Sequence, residues 1–201
     1  VPGADGLLAG RLHSVPMTDV VAVCGSRRDG SYTLKALDVA LGAAHEAGAE
    51  TAMLDLGTAD LPLYHPDRDG QGDSERLTRR VRESDAVVLG SPVYHGSYSS
   101  AFRNFHDYCG FDEYEDTAVG LVAVAGGGSY GATLEHMRST VRGVHGYVVP
   151  RQVGIRRGSD KFQDGALVDR DIEDRLVALG EAVVEHAAQL GCDPVERAGS
   201  D

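Results

Sequence analysis

The residues best suited to chemistry follow the first apolar run, Val20–Cys24, in the stretch from Gly25 to Thr33. Its hydroxyl groups belong to Ser26, Ser31 and Thr33, and its guanidinium groups to Arg27 and Arg28. A helical pattern begins directly afterwards, at Leu34. Because the first N–H groups of a helix lack internal partners and its dipole is positive there, such a loop can bind an anion. Arginine adds a charged fork that suits phosphate, so the stretch predicts a phosphate site.

The kind of phosphate ligand is narrowed by what this loop does not contain. Gly25 and Gly30 have the spacing of a nucleotide triphosphate loop, but Ser31 stands where that loop needs lysine. The dinucleotide glycine fingerprint is also absent from this loop, so a monophosphate fits better. The alternative is an ordinary strand-to-helix turn in which Ser31 only caps the helix.

A second unusual loop, Gly90–Ser100, follows the third predicted strand and contains Tyr94, His95 and Tyr98 among small residues. Apolar surface beside exposed backbone N–H groups suits a planar heteroaromatic ring. The face of the ring stacks on the apolar surface, and its edge accepts hydrogen bonds from the N–H groups. We expect N–H groups between Tyr94 and Gly96 to face the edge of such a ring. The alternative is that both tyrosines pack beneath the loop while His95 faces solvent.

A third loop, Gly126–Gly131, supports three interpretations. It spells GxGxxG between a strand and a helix, but the acidic residue expected about 20 positions later is missing. It also spells GxSxG, which would make Ser129 a hydrolase nucleophile, with Asp164 or Asp169 and then His186 completing a triad. The interpretation we prefer is that the glycines let the backbone approach a flat ligand closely.

Apolar runs and helical patterns alternate along the chain and must position these loops. The predicted strands are Val20–Cys24, Glu50–Leu56, Ala86–Leu89, Ala118–Ala125 and, broken by Pro150, Tyr147–Ile155. The predicted helices run from Leu34 to near Gly48 and over Ser74–Ser84, Ser99–Tyr108, Ala132–Val144 and Asp169–Leu190. Alternation at this spacing predicts a parallel sheet with helices on both faces. All three loops would then lie at one edge, where such sheets bind ligands.

Composition excludes several classes of function. The 201 residues have a formal net charge of −12, which disfavours nucleic acid and anionic membrane as partners. The three cysteines form no CxxC motif and the histidines no HExxH motif, so we expect neither a disulfide framework nor a metal site, and a cytoplasmic location. We expect one domain over residues 17–190, with a poorly ordered extension over residues 1–16 and a tail over residues 191–201.

Taken together, the three loops resemble the NADPH-dependent FMN reductase family of flavodoxin-like proteins, whose members also reduce chromate, azo compounds and quinones. The resemblance covers Val20 to Ile155 and rests on three motifs. These are Gly25-Ser26-x-Arg28-x-x-Ser31-x-Thr33, then Ser91 to Ser99 leading into Phe102 to Tyr108, and the Gly126–Gly131 loop. It differs from the usual pattern at Arg103, where lysine is common, and at His106, where leucine is common.

The resemblance implies a doubly wound sheet of strand order 2-1-3-4-5 and an enzyme that passes hydride from NADPH or NADH through FMN. The acceptor would be a flavin, quinone, azo compound or metal ion. The residues implied for FMN are Ser26, Arg28, Ser31, Tyr32, Thr33, Pro92, Val93, Tyr94, His95, Gly96, Gly126, Gly127, Ser129 and Tyr130, with no catalytic side chain needed. A homodimer or homotetramer is implied as well. The alternatives are an electron carrier without NAD(P)H activity and the hydrolase based on Ser129.

Overall fold

The computed structural model describes residues 17–191. The predicted extension over residues 1–16 and the predicted tail beyond residue 191, which includes Cys192, lie outside the described residues. The main strands are β1 (Asp19–Cys24), β2 (Glu50–Asp55), β3 (Ala86–Pro92), β4 (Ala118–Val124) and β5 (Tyr147–Ile155). The helices are α1 (Tyr32–Glu46), α2 (Ser74–Arg82), α3 (Ser100–Tyr108), α4 (Phe111–Tyr114), α5 (Gly131–Gly143) and α6 (Arg170–Leu190).

The five main strands form one parallel sheet in the order β2-β1-β3-β4-β5, as the resemblance implied. In β1, β3 and β4 the residues after the first are all buried, because helices cover both faces of the sheet. Helices α1 and α6 pack on one face over Val20, Ala22 and Cys24. Residues from α2, α3, α4 and α5 pack on the other face over Val21 and Val23.

The prediction that Pro150 breaks the fifth strand was wrong in one respect. Strand β5 is continuous, but its pairing with β4 shifts, so that Val148 lies opposite Val119 and Gln152 lies opposite Leu121. The extra residues form a bulge at the sheet edge, where a proline without an N–H group is tolerated.

Two short features were not predicted from the sequence. Helix α4 has a single turn, which is too short to give a periodic pattern. After a 3₁₀ turn at Gly158–Asp160, the antiparallel pair β6 (Phe162–Gln163) and β7 (Ala166–Leu167) lies over the start of α1. There the ring of Phe162 stacks on Tyr32, with the ring centroids 5.1 Å apart.

His106 is one of the two departures from the family pattern. It is buried on the face of the sheet that α2, α3, α4 and α5 cover. Its ring stacks against Phe102 with the centroids 6.0 Å apart and is tilted against Tyr114 at 5.3 Å. Its Nδ1 has no hydrogen-bond partner among residues 17–191. Burial lowers the pKa of this imidazole, although the Thr140 carbonyl partly opposes that effect.

Replacing His106 by leucine is expected to stabilise the fold, and to do so more at pH 5 than at pH 8. The substitution removes an unpaired buried nitrogen, whose desolvation costs about 1–3 kcal/mol. As the pH falls below about 6.5, the unfolded chain binds a proton at position 106 that the folded imidazole resists. The wild type therefore loses an amount of stability that the variant, which lacks this imidazole, does not lose. Urea unfolding at both pH values measures the difference. The prediction is wrong if the free energy of unfolding of the wild type rises relative to that of the variant as the pH is lowered to 5.

Candidate functional site

The loop after β1 ends in a capped helix start with free backbone donors. Ser31 is the N-cap of α1, and its Oγ accepts a hydrogen bond from the Leu34 N–H at 3.2 Å. The helix begins at Tyr32, two residues before the predicted start, and the N–H groups of Tyr32 and Thr33 have no partner within the described part of the chain. The capping role of Ser31 therefore coexists with the donors that an anion needs.

A cavity of about 370 Å³ opens where the carboxyl ends of β1, β3, β4 and β5 meet. It is lined by Ser26, Arg28, Asp29, Gly30, Ser31, Tyr32, Thr33, Pro92, Val93, Tyr94, Val124, Ala125, Gly126, Gly158 and Ser159. The three loops singled out from the sequence therefore all contribute to one concave surface. Of the predicted residues, those outside the lining are His95, Gly96, Gly127, Ser129 and Tyr130.

Hydrogen bonds tie the loop after β1 to the loop after β3. The Gly25 N–H donates to the Gly90 carbonyl at 2.8 Å, and Ser99 Oγ donates to the Gly25 carbonyl at 2.5 Å. Ser91 Oγ in turn accepts a hydrogen bond from the Ser99 N–H at 2.9 Å. A Cβ on Gly25 would lie 2.8 Å from Phe102 Cβ, so only glycine allows this approach. The two walls of the cavity thus hold one another in place.

His95 and Gly96 occupy the two central positions of a tight turn. The Tyr94 N–H donates to the Ser97 carbonyl at 2.9 Å, and the return bond is 3.1 Å. Both central residues have positive φ, 53° and 80°, as such two-residue turns require. The expected donors are therefore the N–H groups of His95 and Gly96, for which residues 17–191 offer no partner, since that of Tyr94 is occupied.

The two tyrosines of this loop behave differently. Tyr94 is 46% exposed and lines the cavity. Tyr98 packs on Phe102 with the ring centroids 5.1 Å apart. The alternative drawn from the sequence was that both tyrosines pack beneath the loop. Tyr98 does so, and Tyr94 does not.

The glycine loop meets the cavity through Gly126. The carbonyl of Gly127 accepts a hydrogen bond from Arg156 Nε at 3.0 Å. The ring of Tyr130 fills the space that a side chain on Gly154 of β5 would occupy, so it packs on the sheet and does not line the cavity.

The hydrolase interpretation of Ser129 disagrees with the geometry. The ring of His186 contacts Tyr147, the first residue of β5. Tyr147 pairs with Ala118, the first residue of β4, so His186 lies at the amino end of β4. Ser129 instead follows the carboxyl end of β4. The seven-residue strand β4 separates these ends by about 20 Å. Asp169 is also occupied as the N-cap of α6 and as the partner of Lys161, whose hydrogen bond lowers its pKa. The predicted triad does not assemble.

Sequence reasoning missed the loop after β5. Gly158 and Ser159 line the cavity, and the Gly158 N–H donates to the Ala125 carbonyl at 3.0 Å. The Gly158-Ser159 pair, which only two arginines separate from the apolar strand, was a usable signal.

Two charged residues line the cavity, Arg28 and Asp29, and Arg27 adjoins them in the sequence. Arg27 and Arg28 are exposed, and their guanidinium groups form no ion pair or hydrogen bond with any residue from 17 to 191. Burial raises the pKa of the Cys24 thiol to about 11, so this thiol stays protonated at neutral pH. Within the described chain, no group of three or more His, Cys, Asp or Glu residues could hold a metal ion. No helix among residues 17–191 has the length and hydropathy to cross a bilayer.

Residues 18–160 match the family model described as NADPH-dependent FMN reductase. The chain belongs to this family. An FMN-dependent NADPH-azoreductase of Staphylococcus saprophyticus is 32% identical to this FMN reductase family member over 152 residues, which cover 71% of this chain and 80% of that protein. An NADPH azoreductase of Bacillus sp. strain OY1-2 is 34% identical over 154 residues, which cover 72% and 85% respectively.

Solved structures show the same fold at low sequence identity. FerB of Paracoccus denitrificans, a flavoenzyme NAD(P)H:(acceptor) oxidoreductase, superposes with a TM-score of 0.74 at 20% identity, covering 88% of this chain and all of that chain. A flavodoxin from the domain Archaea gives a TM-score of 0.62 at 12% identity, covering 85% and 99% respectively.

The sequence-based predictions of family, fold and reaction class are confirmed. This FMN reductase family member has the flavodoxin-like fold and is an NAD(P)H-dependent oxidoreductase that uses FMN as its cofactor and NADPH as its co-substrate. The family assignment favours a reductase over an electron carrier without NAD(P)H activity.

Proposed function

We propose that the cavity between the four strand ends is the FMN site, with the phosphate at the loop after β1. The support is that Ser26, Arg28, Ser31, Tyr32 and Thr33 all line this one cavity, and that the N–H groups of Tyr32 and Thr33 are free within the described chain. These groups suit a phosphate monoester because every one of them can donate a hydrogen bond. The Ser31 hydroxyl can still donate, since capping uses only an acceptor position.

The second wall of the cavity suits a flat ring. Pro92, Val93 and Tyr94 offer apolar surface on one side, and Gly126 brings bare backbone to the other. The N–H groups of His95 and Gly96 are candidates to donate to the polar edge of the ring. The predicted contacts of Gly127, Ser129 and Tyr130 with FMN stay predictions, since these residues lie outside the cavity lining.

When bound, FMN supplies the two-electron redox chemistry between the nicotinamide and the acceptor. The chain's own part is to hold the phosphate, fix the ring plane and leave one face accessible. Tyr94, 46% exposed and part of the lining, leaves the second wall open to solvent. No side chain is required to act as an acid or base.

For the electron acceptor we propose a planar aromatic compound, either an azo compound or a quinone. Two relatives at 32% and 34% identity bear the name azoreductase, and an open cavity with an exposed tyrosine suits stacking of an aromatic acceptor. Turnover of an azo dye and of a quinone with NADPH and FMN tests this part. Reduction of free flavin alone would contradict it.

We further propose that the enzyme works in the cytoplasm as a homodimer or homotetramer. The exposed large apolar side chains that an interface between copies could cover include Leu63 at 83% and Phe111 at 53%. Cys24 and Cys109 are free thiols, which suits a reducing compartment. Light scattering after gel filtration measures the oligomer, and a monomer at micromolar concentration would contradict the proposal.

The central test is spectroscopic. We expect the purified protein to be yellow or to take up added FMN, and NADPH to bleach the flavin absorbance. The expected stoichiometry is one FMN per chain. A colourless preparation that does not alter the fluorescence of added FMN would overturn the proposed site.

A further inference from the structure

A pair of adjacent arginines follows β5, which lies three places along the sheet from β1, the strand that precedes Arg27 and Arg28. The chain is acidic overall, with 31 Asp and Glu residues against 19 Lys and Arg. Arg156 and Arg157 nevertheless directly precede Gly158 and Ser159, which line the cavity. The loop after β1 is already assigned to the FMN phosphate, so this second basic group is available to another anion.

Arg156 is held in place by the glycine loop. Its Nε donates to the Gly127 carbonyl at 3.0 Å, and Gly127 directly follows the cavity-lining Gly126. A guanidinium has five N–H bonds, and this contact uses one of them. The four on the terminal nitrogens have no hydrogen-bond partner, and the group has no carboxylate within ion-pair distance, in the described chain.

Arg157 is in a different situation. It adopts a left-handed conformation, with φ 51° and ψ 59°, from which the chain turns back so that the Gly158 N–H reaches the Ala125 carbonyl. Its Nε lies 3.8 Å from a carboxylate oxygen of Asp160. Part of its charge is therefore neutralised, whereas that of Arg156 is not.

A positioned, unpaired guanidinium beside a nucleotide cavity suits a phosphate monoester. NADPH differs from NADH only by the 2′-phosphate on its adenosine ribose, and an arginine is the side chain that commonly accommodates this group. We propose that Arg156, oriented by the Gly127 carbonyl, binds the 2′-phosphate of NADPH and thereby selects NADPH over NADH. This inference rests on the proposed FMN site, because it places the second nucleotide at the rim of the same cavity.

The test compares Arg156→Ala with Arg151→Ala, which removes the same charge from an exposed position on β5, the strand that Arg156 follows. With FMN saturating, Arg156→Ala is expected to lower kcat/KM for NADPH by about ten- to a hundredfold, mainly through KM, as loss of a charged hydrogen bond predicts. The kcat/KM for NADH should stay within about twofold. Arg156→Lys, which keeps the charge but not the fork, should be intermediate. Arg151→Ala should match the wild type.

Calorimetry without turnover gives a second measurement. Adenosine 2′,5′-bisphosphate should bind Arg156→Ala about ten- to a hundredfold more weakly than the wild type, whereas 5′-AMP should bind both alike. Equal losses for NADPH and NADH, or an unchanged affinity for the bisphosphate, would overturn the inference. Failure of the FMN site itself is distinguishable, because it would appear as a wild type that takes up no FMN.

Discussion

Arg28→Ala is expected to weaken FMN binding by about 1.5–3 kcal/mol, a loss of roughly 10- to 150-fold in affinity. Arg28 lines the cavity beside Ser26 and Ser31, and its guanidinium has no competing carboxylate or carbonyl within residues 17–191. Its full hydrogen-bonding capacity is therefore available to the phosphate. Quenching of FMN fluorescence during titration with apoprotein measures the dissociation constant.

Arg27→Ala is the matched control. Arg27 carries the same charge as Arg28, is exposed like it and is its neighbour in the sequence. It lines an adjacent depression and not the cavity proposed to hold FMN. Only a long-range electrostatic effect is expected from its loss, which salt would screen. Because both arginines are exposed and unpaired, neither substitution should shift the midpoint of urea unfolding. An equal effect of the two variants on FMN affinity would show that Arg28 acts by charge alone, without direct contact.

The sheet was predictable because its signals are local and mutually consistent. Runs such as Val20–Cys24 and Ala118–Ala125 are apolar on both faces, which occurs when helices cover a parallel sheet on both sides. The order of the strands did not follow from those runs, and only the resemblance to a family supplied it. The continuity of β5 through Pro150 was not predictable, since it depends on β5 being an edge strand with a bulge.

The lining of the cavity was predictable where one segment of the sequence contains the whole signal. The loop from Ser26 to Thr33 combines hydroxyls, arginines and a helix start within eight residues, and it lines the cavity. The contribution of Gly158 was not predictable in this way, because it depends on a hydrogen bond to Ala125 on a neighbouring strand end. The packing of the Tyr130 ring against Gly154 is likewise a tertiary contact, which no local sequence pattern predicts.

The second large effect is expected at Gly25, which forms no predicted contact with FMN but joins the loops that do. Gly25→Val would place a side chain against Phe102 Cβ, the Gly90 carbonyl and Ser99 Oγ, at 2.8, 3.1 and 3.2 Å from its Cβ. Phe102 Cβ is fixed by the α3 backbone and the Gly90 carbonyl by β3, so neither can move aside. The loop must therefore shift, at a cost of about 1–3 kcal/mol in stability.

The same shift is expected to remove FMN binding by far more than the loss of stability alone would cause. The bonds from Gly25 to Gly90 and from Ser99 to Gly25 fix the distance between the loop after β1, proposed to hold the phosphate, and the loop after β3, proposed to hold the ring. Both bonds would lengthen. The control is Gly128→Ala, in a loop where an added Cβ meets nothing within 4 Å. Urea unfolding and FMN titration of both variants separate the two effects. Gly25→Val could be as unstable as expected and yet, while folded, bind FMN with wild-type affinity. In that case the hydrogen bonds of Gly25 do not set the spacing between the two loops, and the cavity must adapt to its ligand.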